Sequence, residues 1–255
     1  MAKRPFATVL ADTPPAPGTP DDDALQDGSR TLIERAYSQL RDDIVAGHLP
    51  PGEKLRVEHL KQHYGVGAGT LREAITRLVS DALVVTEGQR GFRVAPIAIE
   101  DLEDLTRLRV HIEIDALRQS IRASNAAWRA RLRETYDRLS AIEQPIQPQH
   151  LRRWEALNTQ FHEDLVQGHA SPWTLKLLKV LARHGERYRR YSMALPDSGR
   201  NVHAEHREIF ESAMAGKELR AALALEAHIS ATLELIKAAL RSGVDVFQPP
   251  NTPPP

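Results

Sequence analysis

Eleven histidines stand in a chain of 255 residues that has no cysteine, so metal chemistry here must use imidazole and oxygen donors. Three of the histidines fall on otherwise apolar helical faces. Asn158 and His162 lie four apart among Trp154, Phe161 and Leu165, a spacing at which a helix brings two side chains to one spot. His206 shares a face with Val202, Ile209, Phe210 and Ala213, and His228 with Leu225, Thr232 and Leu235. Three imidazoles and one amide oxygen from three helices could form a divalent-metal site with open positions. Each histidine alone reads as readily as a hydrogen-bonded core residue, and spacing does not decide between the two.

The elements that must position these side chains are helices. From residue 100 onward, apolar periodicity predicts six, over 100–123, 126–142, 149–168, 172–192, 200–215 and 217–241. Pro145, Pro148, Pro172, Pro196, Gly199 and Gly216 punctuate them. Such short connections favour antiparallel neighbours in one bundle.

A different pattern precedes the bundle. A helix over 32–46 stops at Gly47, and the turn HLPPGEKL leads to a second helix holding Val57, Leu60 and Tyr64. Residues 65–69 form a turn, and a third helix over 70–81 points Leu71, Ile75, Leu78 and Val79 inward. Short strands at 83–85 and 92–94 flank a Gly-rich tip at 88–91. This order describes a winged helix-turn-helix, a compact way to place one helix in a DNA major groove. Arg90 at the tip is suited to a phosphate or the minor groove. Arg77 and Arg93 read equally well as solvated charges. The fold class expected is therefore mainly α, an N-terminal winged helix-turn-helix plus a C-terminal all-α six-helix antiparallel bundle.

Composition narrows the class further. Apolar residues at 41% and charged residues at 27% suit a globular protein with room for two domains. The 34 basic and 34 acidic side chains cancel, and residues 31–96 hold nine Lys and Arg against eight Asp and Glu. DNA affinity must then come from a few placed contacts and from doubling in a homodimer. No signal-peptide pattern and no membrane-length apolar run occur, so a cytoplasmic protein without a membrane partner is expected. The expected organisation is a disordered tail over 1–29 (ADTPPAPGTPDDD), a DNA-binding domain over 30–97, an effector-binding and dimerisation domain over 98–242, and a Pro-rich tail over 243–255.

The first of these domains resembles the N-terminal domain of GntR-family transcription regulators. The matching blocks are Leu49-Pro50-Pro51-Gly52-Glu53-Lys54-Leu55, Gly65-Val66, Leu71-Arg72-Glu73-Ala74-Ile75 with Leu78, and residues 88–94. The resemblance implies that the third helix enters the major groove and that Arg72 contacts DNA, consistent with a guanidinium fork on guanine or phosphate. Where many relatives carry Ser-Arg-Thr, this chain has Gly67-Ala68-Gly69, and Glu58 replaces a frequent arginine for which Arg56 can substitute. The expected DNA-facing set is Arg56, Gly69, Thr70, Arg72, Arg77, Arg90 and Arg93.

Residues 100–241 resemble the FCD ligand-binding domain that follows the FadR-type GntR winged helix. The motifs are Asn158-Thr159-Gln160-Phe161-His162, Glu205-His206 and Ala227-His228. The resemblance implies metal ligands at Asn158, His162, His206 and His228, for zinc or else nickel or manganese, with Asn replacing the commoner Asp. It also implies a cavity-facing Arg109 that anchors a carboxylate effector, against the alternative of an ion pair with Glu113. The runs GVGAGTLREAITRL and GQRGFRVAP are similar to a CsiR-like branch of repressors answering to small dicarboxylates. His203 reads as a second partner of the centre or as exposed, and residues 188–191 as mostly a solvated or dimer-facing run, with reach into the pocket as the alternative.

Together these readings predict a metabolite-responsive DNA-binding regulator, a repressor in sign, and not an enzyme. A metal-dependent enzyme and a structural-metal dimerisation module are the alternatives, since three histidines with open positions also suit catalysis.

Overall fold

The computed structural model describes residues 31–88, 91–195, 199–244 and 246–247. The segment 1–29, Gln89 and Arg90 at the wing tip, and most of the Pro-rich tail lie outside the described residues. Among the described residues there are nine α-helices and three short strands, and no helix is long and apolar enough to cross a membrane. The chain divides into two compact units, one up to Pro96 and the other Ile97–Phe247.

The first unit opens with α1 (Leu32–Ala46). Thr31 accepts from the Glu34 backbone and Glu34 reaches back to Thr31, a reciprocal box that satisfies two end donors. Gly47, at φ 81°, takes the left-handed conformation that ends the helix. β1 (Lys54–Leu55), α2 (Val57–His63), α3 (Ala68–Ser80), β2 (Val84–Thr86) and β3 (Phe92–Val94) follow. The antiparallel sheet has the order β1-β3-β2, with Val84 opposite Val94 and Leu55 opposite Phe92. Leu40, Leu71, Ile75, Leu78 and Leu83 fill the core with no exposure, each contributing about 1.5–3 kcal/mol by burial. The Tyr64 hydroxyl donates to Asp43 at 2.6 Å and so fastens the end of α2 to α1.

Two details differ from the sequence reading. The third helix begins at Ala68 rather than Thr70, because Gly67 at φ −68°, ψ 155° already serves as its N-cap. The turn after α1 contains β1, too short to leave a periodic signal in sequence.

The second unit is all helical: α4 (Ile99–Arg122), α5 (Ala126–Ser140), a 3-10 turn (Pro148–His150), α6 (Leu151–Val166), α7 (Pro172–Met193), α8 (Val202–Met214) and α9 (Glu218–Arg241). Asn125, Ser171 and Asn201 cap α5, α7 and α8 through side-chain oxygens. Helix α4 packs along α9 and α7, α5 along α6, and α8 along α9. Trp154, Phe161, Leu117, Leu132 and Leu165 are buried at the centre, and Tyr136 stacks on Phe210 with centroids 4.0 Å apart. Val246 and Phe247, assigned to the tail by composition, instead join the cluster around Tyr188 and Ile236.

Candidate functional site

The two faces of α3 are chemically distinct. Leu71, Ala74, Ile75 and Leu78 are buried, while Gly69, Arg72, Glu73, Thr76 and Arg77 are exposed and Thr70 is half-buried. That amphipathic split leaves the polar face open to a groove. Glu73 receives Arg77 at 3.2 Å, one turn along the same face. Arg56 is exposed at the start of α2, and its side chain makes no cap. Arg93, half-exposed on the wing, is also paired within it. Its Nε donates to Glu87 at 2.7 Å and its Nη1 to the Gly52 carbonyl, so it braces the wing. Arg90 lies outside the described residues.

In the helical unit, α6 carries Asn158 and His162, α8 carries His206 and α9 carries His228. The structure brings the three imidazoles together, with a ligand atom of each within 4.8 Å of the others. Ring centroids are 4.9 Å apart for His162 and His228, and 4.7 Å for His206 and His228. His206 is fully buried and Asn158 nearly so.

Hydrogen bonds orient two of the rings. Nδ1 of His206 lies 2.7 Å from Glu143 Oε1, and Nδ1 of His228 lies 2.7 Å from Glu205 Oε2. With Nδ1 donating, each ring presents Nε2 as an acceptor, the arrangement that metal-ligating histidines use. His206 Nε2, His162 Nδ1 and Asn158 Oδ1 are buried with no hydrogen-bond partner. Orphaned buried acceptors are rare and call for an occupant. Three imidazole nitrogens and an amide oxygen fit a divalent ion of the zinc, nickel or manganese type.

Electrostatics favour the required protonation state. Burial holds His162 and His228 well below the ordinary imidazole range, and the neighbouring imidazoles and the guanidiniums of Arg109 and Arg189 push in the same direction. Both rings are therefore neutral at pH 7, the form that binds metal.

Three arginines surround the centre. Arg109 on α4 pairs with Glu113 at 2.6 Å, Arg189 on α7 with Glu155 at 2.5 Å, and Arg200 with Glu205 at 2.8 Å. The ion pair expected as the alternative for Arg109 is thus formed, yet Arg109 also lines the cavity. Two clefts meet there and share Arg109, His162 and Arg189. One continues between α6 and α7 past Val166, Leu175 and Leu178, and the other runs toward Arg200, Thr106 and Thr232.

For residues 188–191 the main sequence reading, a solvated or dimer-facing run, gives way to its alternative, reach into the pocket. Tyr188 is buried and donates to Asp101 at 2.6 Å, and Arg189 lines both clefts. Glu143 and Arg200 were not anticipated. His203 approaches Glu143 Oε2 at 3.5 Å, behind His206 rather than in the triad.

A winged helix-turn-helix joined to a helical unit with a histidine-centred cavity is the architecture of a ligand-sensing transcription factor. Residues 32–94 match the family described as bacterial regulatory proteins, gntR family, and residues 104–231 match the FCD domain. The chain belongs to the GntR family of DNA-binding transcriptional regulators, with an FCD domain behind the DNA-binding one. It is 40% identical over 211 residues to the uncharacterised HTH-type transcriptional regulator BphR of Paraburkholderia xenovorans LB400, covering 82% of this chain and 86% of that protein. It is 28% identical over 209 residues to the HTH-type transcriptional repressor GlaR of Escherichia coli K12, covering 80% and 95%. Among solved structures, Escherichia coli McbR/YncC shares the fold with a TM-score of 0.66 at 18% identity, over 84% of this chain and 99% of that one.

Proposed function

We propose that this regulator is a cytoplasmic homodimeric repressor whose helical domain holds a divalent metal and a small organic acid that lowers operator affinity. The observation that carries the reading is the set of orphaned buried acceptors, Asn158 Oδ1, His162 Nδ1 and His206 Nε2, beside Arg109 and Arg189. Asn158, His162, His206 and His228 hold the ion, with zinc first and nickel or manganese next. Bound there, the metal supplies a Lewis-acidic position for a carboxylate oxygen. Arg109 and Arg189 stand where the same carboxylate meets guanidinium donors. Val166, Leu175 and Leu178 accept the body of the acid, and Lys179 stands farther along the same cleft, which suits a dicarboxylate.

On the DNA side, Arg72 leads the contacts, with Gly69, Thr70, Arg77, Arg56 and Arg90 as further contacts and Arg93 bracing the wing. Two copies read a pseudo-palindromic operator. An acid that binds one spacing of the two winged helices better than the other shifts the population away from DNA. The repressor sign is supported by the printed name of the GlaR relative. That the relatives are transcriptional regulators supports a sensory rather than a catalytic metal. The test is binding of the DNA upstream of this gene, with and without short dicarboxylic acids, by zinc-loaded protein. Failure to bind that DNA at low salt overturns the reading.

A further inference from the structure

The carboxylates around the centre are not equivalent. Buried Glu113 and Glu155 and half-buried Glu205 each face a guanidinium, that of Arg109, Arg189 and Arg200 respectively. Glu143 sits in the turn after α5, its side chain fully buried, and pairs with no lysine or arginine among the described residues. Its Oε1 accepts from Trp154 Nε1 at 2.9 Å and from His206 Nδ1 at 2.7 Å, while its Oε2 has no hydrogen-bond partner. With only the imidazoles of His206 and, 3.5 Å from Oε2, of His203 beside it, this buried carboxylate keeps a large desolvation penalty. A cation that offsets it is the one that the metal reading places one imidazole away.

The other side of the balance is as unequal. Three imidazoles and the Asn158 amide are all neutral donors, so a divalent ion among them would bring two uncompensated positive charges into the core. Two carboxylates touch the ligands, Glu205 through His228 and Glu143 through His206. Arg200 already answers the charge of Glu205. Among the described residues that touch the ligands, this leaves Glu143 to answer the ion.

We propose that Glu143 is the positioning residue of the metal centre: it fixes the His206 tautomer through Nδ1 and supplies the negative charge that Asn158 does not. This inference rests on the metal reading above. Glu143 shapes which nitrogen His206 presents and raises the basicity of that nitrogen. It also lowers the net charge of the centre, which affects how strongly an anionic effector is drawn to it.

The test uses the full chain stripped of metal, with Zn2+ titrated against a chromophoric chelator and Co2+ absorption as a second readout. Glu143→Gln keeps the shape and an oxygen for both donors but removes the charge. It is expected to bind Zn2+ about 10- to 100-fold more weakly, with an altered Co2+ spectrum. Asn158→Asp should raise Zn2+ affinity more in that variant than in the wild type, because it replaces the missing charge, a coupling that a merely structural role for Glu143 would not produce. Wild-type affinity in Glu143→Gln, or an equal gain from Asn158→Asp in both backgrounds, overturns the proposal. Should the glutamine substitution prevent folding, Glu143→Asp draws the carboxylate back by one methylene, and unchanged Zn2+ affinity there overturns it equally. If the wild-type chain binds no Zn2+, both this inference and the metal reading fall.

Discussion

A β-carbon placed on Gly185 would lie 2.6 Å from Nη1 of Arg109. Gly185 is inside α7 with ordinary helical geometry, where glycine costs about 0.5–1 kcal/mol against alanine. The missing side chain is the seat of the arginine. Gly185→Ala should therefore leave thermal stability unchanged or slightly raised, because the clash is with a flexible side-chain tip. It should weaken carboxylate binding about tenfold or more, since a charged hydrogen bond contributes about 1.5–3 kcal/mol. Calorimetric titration with glutarate checks this, and unchanged affinity would remove Arg109 as the anchor.

For Arg72, exposure on α3 separates DNA contact from folding. Arg72→Ala should keep the wild-type melting temperature and weaken operator binding about 10- to 100-fold, the cost of losing one bidentate base contact. Arg93→Ala should behave differently, loosening the wing because Glu87 and Gly52 lose their partner. Fluorescence anisotropy beside thermal melts distinguishes the two variants.

Acid should unfold the metal-stripped protein through its core histidines. His162 and His228 titrate near 6.5 in the unfolded chain and well below it when folded. Below that pH the unfolded chain takes up protons that the folded chain refuses. Stability present above pH 6.5 is thus lost as the pH falls toward the folded-state value. Each ring contributes a slope of up to about 1.4 kcal/mol per pH unit. Urea midpoints measured across this range should fall steeply for the wild type and less steeply for His162→Phe.

Metal should counter that loss. An ion at about 100 times its dissociation constant stabilises the folded state by about 2.7 kcal/mol. In a domain of roughly 150 residues this corresponds to a melting shift of about 5–10 °C. Adding Zn2+ to chelator-treated protein should restore that shift, and His206→Ala should abolish it.

Much of this was legible in the sequence, for identifiable reasons. Asn158, His162, His206 and His228 sit on strongly periodic helices, so spacing alone put them on inward faces. The winged helix was legible through its turn residues, such as Gly47 and Gly65. Glu143 was not, because it lies in an aperiodic turn between α5 and Pro145. The sequence pattern starts the next helix at Arg200, but α8 begins at Val202, so helical register does not place that side chain. Arg189 is long enough to reach either solvent or cavity, and only packing decides. Gly185 did leave a signal: a lone glycine inside a helical pattern often marks a close approach. β1 escaped notice because two residues cannot show alternation.

In the proposed function the histidine centre senses an acid on behalf of the winged helix. Anisotropy of labelled upstream DNA, titrated with glutarate and related dicarboxylic acids in zinc-loaded protein, tests it most directly. At least one acid should lower DNA affinity by about 5- to 150-fold, the usual range of allosteric coupling, and His162→Ala should abolish the response while still binding DNA. DNA affinity unmoved by every acid, or an equal response in His162→Ala, would contradict it.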